Sequence, residues 1–290
     1  MEKGFRFMKI GIVGQGYVGT AVKTVFEKHY DVETYDIKQN CSCVSLQELV
    51  YETDVIFVCV PTPMNKDGSC NLSIVKNVVS DINDIVINTN ESMNNKIVAI
   101  KSTVPPGTIN KLNRECKDIS IVFNPEFLTE ANFIEDFKNQ NRIIIGGPRP
   151  ATTILRQIYS LVFPNIPIIK TGSKTAEMVK YLTNTFLATK VSFANEMKMV
   201  CDKIDIDYDK VVEYSMYDDR LGTSHWAVPG PDGKNGFGGS CFPKDVNALI
   251  SLSEDLDLWS HTLRGAWYTN LEVRPEKDWE KLKGRAVTDD

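Results

Sequence analysis

The chain reads as an α/β protein: an N-terminal doubly wound, parallel sheet followed by an all-α region built on a long central helix. Three observations predict this. Short runs rich in Val and Ile recur from Lys9 to Gly147 with helical stretches between them, the rhythm of a sheet buried on both faces. The first run leads straight into Gly14-Gln15-Gly16-Tyr17-Val18-Gly19. From Thr175 to about Ile204 the apolar period becomes helical, and neither Pro nor Gly interrupts it.

The first strand is Lys9 to Val13, and residues 1–7 read as an extension ahead of it. A helical pattern covers Thr20 to about Lys28, and the next strand, Val32 to Tyr35, ends at Asp36. Strand, Gly-x-Gly-x-x-Gly, helix, strand and acid follow in the order of a Rossmann-type dinucleotide site. Gly14 makes the tight turn, Gly16 lets a pyrophosphate approach the helix N-terminus, and Gly19 permits close helix–strand packing. The Asp36 carboxylate would bond the ribose hydroxyls and repel a 2′-phosphate, which predicts NAD rather than NADP.

Further strands are Asp54–Val60, Lys96–Ile100, Ile119–Phe123 and Arg142–Gly147, each running into a polar or Pro-bearing segment. In an open parallel sheet those segments share the ligand edge. Thr62 and Thr103 are candidates for hydroxyl contacts to the cofactor, with helix N-capping as the other reading. Residues 64–72 read as a loop around Asp67-Gly68.

The long helix, about 28 residues and on the order of 40 Å, is expected to bridge domains or subunits. Lys180 and Asn184 lie i, i+4 on one face of it, in apolar surroundings that suit stabilising an oxygen anion; a solvated pair is the alternative. Leu221 to Asn235 is a Gly- and Pro-rich loop expected to cover a ligand. Then comes Gly236-Phe237-Gly238-Gly239-Ser240-Cys241-Phe242-Pro243-Lys244-Asp245. With a helix starting near Phe242, Cys241 stands at its N-terminal end, where backbone N–H groups favour a thiolate and Lys244 adds positive charge. Cys241 is read as a nucleophile, against the alternative of a buried structural thiol. The charged run from Val273 to Asp290 reads as a solvated face.

A net charge of −5 argues against a nucleic-acid partner, and no apolar run is long enough to predict a membrane span. Seven cysteines form no regular framework, and Cys41-x-Cys43 lacks a second ligand pair, so no metal site is expected. Reduced thiols and a cytoplasmic setting are expected. The domains expected are 1–171, an NAD-binding Rossmann domain; 172–272, a helical central and dimerisation domain carrying Cys241; and 273–290, a charged tail.

The residues now assembled resemble those of the UDP-glucose/GDP-mannose dehydrogenase family. The resemblance rests on Gly14 to Gly19, Val60-Pro61-Thr62-Pro63, Ser102-Thr103-Val104-Pro105-Pro106-Gly107, Asn124-Pro125-Glu126-Phe127-Leu128-Thr129-Glu130, Lys180-x-x-x-Asn184 and Gly236 to Asp245, over roughly Met8 to Leu256. It implies NAD-dependent, four-electron oxidation of the C6 alcohol of a nucleotide sugar, with UDP-glucose to UDP-glucuronate as the leading expectation, in polysaccharide biosynthesis. It implies Cys241 as the nucleophile that forms a thioester, and Lys180, Asn184 and Asp245 around the reacting hydroxyl. A water would be held by Thr103 and Asp245, and Glu130 would be the base for hydrolysis. Tyr17, Val18, Thr62, Thr103 and Lys244 would join Gly14, Gly16, Gly19 and Asp36 around NAD. Glu126, Phe127, Leu128, Lys180, Asn184, Lys234 and Gly238 would meet the sugar nucleotide. A homodimer through the long helix is also implied. Only 45 residues follow Asp245, too few for the C-terminal domain that the family carries. A single-step β-hydroxyacid-type dehydrogenase and a non-catalytic NAD-binding paralogue are the competing readings; Cys241 argues against the first.

Overall fold

A computed structural model describes residues 8–39, 41–89 and 96–289. The proposed extension at residues 1–7 lies outside them. The described chain forms two compact units, one from Met1–Thr62 with Leu72–Lys180, the other from Pro63–Asn71 with Tyr181–Asp290.

The first unit is a seven-stranded sheet in the order β2-β1-β3-β4-β5-β6-β7. Its strands are β1 (Ile10–Val13), β2 (Val32–Tyr35), β3 (Val55–Val58), β4 (Lys96–Ile100), β5 (Ile119–Phe123), β6 (Ile143–Gly146) and β7 (Ile168–Thr171). Central strands such as β1, β3 and β4 are buried at every position, as strands covered on both faces must be. Successive side chains alternate between two cores. Ile56, Val58, Val98 and Ile100 meet Leu49 of α2 (Leu46–Glu52), Val75 and Val79 of α3 (Ser73–Ile87) and Leu112 of α4 (Thr108–Glu115). Val55, Phe57, Ile97 and Ala99 meet Val22 and Phe26 of α1 (Tyr17–Phe26), Phe137 of α5 (Phe133–Lys138) and Leu155 and Ile158 of α6 (Ala151–Val162). The doubly wound sheet expected from the sequence is therefore present.

One strand corrects the expectation. β6 runs antiparallel to β5, with Phe123 opposite Gly146, and is parallel only to β7. β6 therefore heads toward the amino edge of β1 to β5 instead of the carboxyl edge, and Gly147 leaves it beside Val122 of β5.

The long helix, α7, runs from Ser173 to Lys203, 31 residues, or about 46 Å. The second unit takes its part from Tyr181 onward, with α8 (Tyr208–Ser215), α9 (Phe242–Asp255) and α10 (His261–Val273). Ala188, Phe237, Val246 and Ile250 form one small core there. Residues 63–71 join this unit: the Met64 N–H donates to the Ala286 carbonyl at 2.8 Å, and Gly68 turns with φ 86°. The segment after Val273 exposes Glu276, Glu280, Lys281 and Lys283, but it is anchored at two places. Arg274 and Trp279 are almost wholly buried, Arg274 paired with Asp232 and Asp278 and Trp279 packed against Trp267.

Candidate active site

In the first unit the carboxyl ends of β1 to β5 bring the expected loops to one edge. Gly14 has φ 92°, and a Cβ there would meet the Cys59 carbonyl oxygen at 2.8 Å. A Cβ on Gly19 would collide with the Gly14 carbonyl oxygen. At Gly16, by contrast, a Cβ would meet nothing within 4 Å. Helix α1 starts beside that open space with no side-chain cap and no acid in its first turn. A helix N-terminus without a side-chain cap or an acid suits a phosphate, which fits a dinucleotide. Tyr17 and Val18 open the helix, and the Tyr17 ring lies 5.0 Å from that of Phe133. Asp36 stands at the end of β2, where one oxygen accepts from the Gln15 N–H and the other from the Lys38 N–H, both at 2.7 Å. Those bonds fix the carboxylate next to the glycine turn.

Thr62 and Thr103 are both buried. The Thr62 hydroxyl donates to the Thr103 carbonyl at 2.9 Å and so ties the loop after β3 to the loop after β4; it caps no helix. The loop after β5 holds Glu126, Phe127, Leu128 and Glu130. Lys180 of α7 donates to the Glu126 carbonyl at 2.7 Å and to its carboxylate at 2.9 Å, and its ammonium lies 5.4 Å from the Phe127 ring centre. The other Glu126 oxygen is buried with no hydrogen-bond partner. Leu128 packs on the α1 side of the sheet, and Glu130 lies half-buried ahead of α5.

In the second unit Cys241 is the N-cap residue of α9, half-buried, with Pro243 in the first turn after it. Pro at that position costs no hydrogen bond, since those N–H groups have no helical partner. One turn on, Asp245 is 1% exposed. One of its oxygens accepts from Lys244 at 2.5 Å and the other from the Asn184 amide at 2.6 Å. Burial alone would lower the Lys244 ammonium, but the Asp245 carboxylate beside it, with Cys241 and Cys70 near, holds it above its ordinary value. The expected groups thus divide into two clusters: Lys180 with Glu126 in the first unit, and Asn184, Lys244, Asp245 and Cys241 in the second. Lys234 lies outside the second cluster and pairs at the surface with Glu276 at 3.3 Å.

Sequence reasoning missed what holds the glycine stretch. The Asn270 amide accepts from the Phe237 N–H at 2.7 Å and donates to its carbonyl at 3.0 Å, and Asn195 accepts from the Gly236 N–H at 3.2 Å. Arg274 donates to Asp278 at 2.6 Å, to Asp232 at 2.7 Å and to the Asn235 carbonyl at 3.3 Å. Gly238 faces the Arg274 guanidinium so closely that a Cβ would stand 2.5 Å from its Cζ. The available signal was polar residues, Asn195 and Asn270, in otherwise apolar helical stretches.

Two stretches of the chain match models of one family. Residues 40–163 match the NAD binding domain of the UDP-glucose/GDP-mannose dehydrogenase family, and residues 174–272 match its central domain. NAD is accordingly the cofactor. The UDP-glucose 6-dehydrogenase of Rickettsia bellii is 36% identical over 81% of this chain and 53% of its own length. That of Haloferax volcanii is 30% identical over 96% of this chain and 73% of its own. The solved UDP-glucose dehydrogenase of Pyrobaculum islandicum superposes with a TM-score of 0.83 at 29% identity, over 97% of this chain and 71% of that one. Against the Rickettsia protein the chain thus spans about half the relative's length. Among the described residues no helix is long and apolar enough to cross a membrane, and no cluster of acids, Cys and His is arranged to hold a metal. The chain belongs to the UDP-glucose/GDP-mannose dehydrogenase family.

Proposed function

We propose that the protein oxidises the C6 alcohol of a nucleotide sugar to the carboxylate, with UDP-glucose as the substrate, through a thioester on Cys241. The observation that carries this reading is Cys241 at the start of α9, one turn before a buried carboxylate held by Lys244 and Asn184. The Gly14–Gly19 turn and Asp36 would hold NAD, which would supply the hydride acceptor for each of the two oxidations.

The chain's own residues do the rest. Asp245 and Thr103 hold the water that takes the hydroxyl proton in the first oxidation. Lys180 and Asn184 stabilise negative charge on the substrate oxygen, an effect often worth about 3 kcal/mol per donor. The Cys241 thiolate forms a C–S bond to the aldehyde carbon and keeps the half-oxidised sugar attached. After the second oxidation the adduct is a thioester. Glu130 takes a proton from water, the water oxygen bonds to the acyl carbon, and the C–S bond breaks to return the thiol. Glu126, Phe127 and Leu128, with Lys234 and Gly238, are assigned to the sugar nucleotide.

In this reading residues 1–171 are the cofactor domain, 172–272 the central domain, and 273–290 the segment that closes it. The working form is a homodimer through α7. The test is to incubate the protein with NAD and UDP-glucose and count NADH per sugar consumed. Two are expected, with UDP-glucuronate as product. One NADH per sugar indicates a single-step alcohol dehydrogenase instead. The Cys241→Ser variant is expected to lose acid production at least about 100-fold while still binding NADH; full acid formation by that variant removes the covalent step.

A further inference from the structure

A cavity of about 760 Å³ opens in the first unit, away from the groups assigned above. Its wall includes Asn110 and Arg114 of α4, Lys117 after it, Pro148 after β6, and Ser173 and Lys174 at the start of α7. Ile119, the first residue of β5, also lines it. The cavity therefore lies at the amino ends of the parallel strands, whereas Gly14 and Asp36 follow the carboxyl ends of β1 and β2. The reversal of β6 turns Gly147 and Pro148 toward the cavity, with Gly147 beside Val122 of β5.

Its electrostatics are one-sided. Arg114, Lys117 and Lys174 line it, and no carboxylate does, in a chain whose net charge is −5. Among the described residues none of these cations forms an ion pair with a carboxylate. The carboxylate nearest in sequence on α7, Glu177, is fully buried, and its oxygens accept from the Gly107 N–H at 2.6 Å and the Ile109 N–H at 2.8 Å; the Lys174 charge acts on it but makes no ion pair with it. Glu115 pairs outward with Lys111 at 4.0 Å. Three cations facing one concavity repel one another, and a bound polyanion relieves that repulsion. The opening turn of α7 adds further positive potential and contains no acid. A single phosphate would leave most of the space empty, whereas cavities of roughly 300–1,000 Å³ hold nucleotide-sized ligands.

We propose that this cavity is a second anion site, distinct from the cofactor site, for a small molecule carrying two or more phosphate groups. The proposal goes beyond the dehydrogenase reading and does not rest on it. Calorimetric titration of the full chain with inorganic pyrophosphate and, separately, ADP, both with NAD in excess, tests it. One equivalent is expected to bind, and the Lys117→Glu and Lys174→Glu variants are each expected to bind about tenfold more weakly, as loss of a charge-assisted contact implies. Both positions are exposed, so both variants are expected to melt like the parent. Tighter binding of pyrophosphate identifies an inorganic ligand, and tighter binding of ADP a nucleotide; either supports the site. Absence of binding at millimolar concentration, equal affinity in both variants, or sulfate binding as tightly as pyrophosphate overturns it. Because the readout is the loss on charge reversal, the test stands even if NAD does not bind.

Discussion

Lys101 shows how far one buried residue can be read. Its ammonium is 1% exposed and donates to the Asn124 carbonyl and side-chain oxygens, both at 3.1 Å. Asn124 in turn reaches the Ile144 carbonyl at 2.8 Å, so this one group braces the loop that carries Glu126. Burial lowers the Lys101 ammonium from its ordinary 10.5 to about 8. Between those values the unfolded chain holds the proton and the folded one does not, so unfolding takes up a proton and stability rises with pH. Below pH 8 both states are charged and the cost of burying the charge is felt in full, on the order of 3 kcal/mol for a lowering from 10.5 to about 8. The Lys101→Met variant lacks this dependence. Denaturant unfolding at pH 7.5 and pH 10 is expected to show the wild type gaining stability relative to the variant; parallel behaviour of the two would refute it. The run Lys101-Ser102-Thr103 was visible in the sequence as a strand end, but nothing local told that its lysine turns inward, because Asn124 and Ile144 come from other strands.

At the scale of elements, the parts legible in the sequence are those whose signal is local. The glycine turn before α1, the acid after β2, the interruption-free α7 and the start of α9 at Phe242 each follow from residues a few positions apart. What escaped depends on distant partners. The direction of β6 rests on one residue pair with β5, which no local pattern announces, and β7 runs almost directly into α7. The clamp on the glycine stretch joins Asn195 of α7, Asn270 of α10 and Arg274, which lie far apart along the chain. That clamp makes Gly238 a packing requirement. The Gly238→Ala variant places a methyl group against the Arg274 guanidinium, whose bonds to Asp232 and Asp278 leave it little freedom to move. Overpacking of this kind costs about 1–3 kcal/mol. A matching fall in the denaturant midpoint is expected, with faster alkylation of Cys241 by iodoacetamide as its support loosens; unchanged values for both would mean that the guanidinium is not held.

For the whole molecule, the decisive surface is the part of α7 that belongs to the second unit. Leu182, Phe186, Phe193 and Val200 are all exposed, with Phe186 at 65%, and Ile204 follows at the helix end at 59%. At 100° per residue these five fall within about 40° of one another, so they form a narrow apolar seam along more than 20 Å of helix. Scattered apolar residues on a surface carry no message, but a contiguous seam of this length marks an association surface. A seam with helical period best matches another helix, and a second copy of α7 supplies an identical one, as a two-fold interface requires. The double variant Leu182→Glu, Phe186→Glu places two carboxylates in that seam and is expected to weaken self-association by more than about 100-fold. Sedimentation velocity at micromolar concentration is expected to show a dimer for the wild type and a monomer for the variant, with unchanged far-ultraviolet circular dichroism. A wild type that sediments as a monomer, or a variant that remains a dimer, would leave the seam without this role.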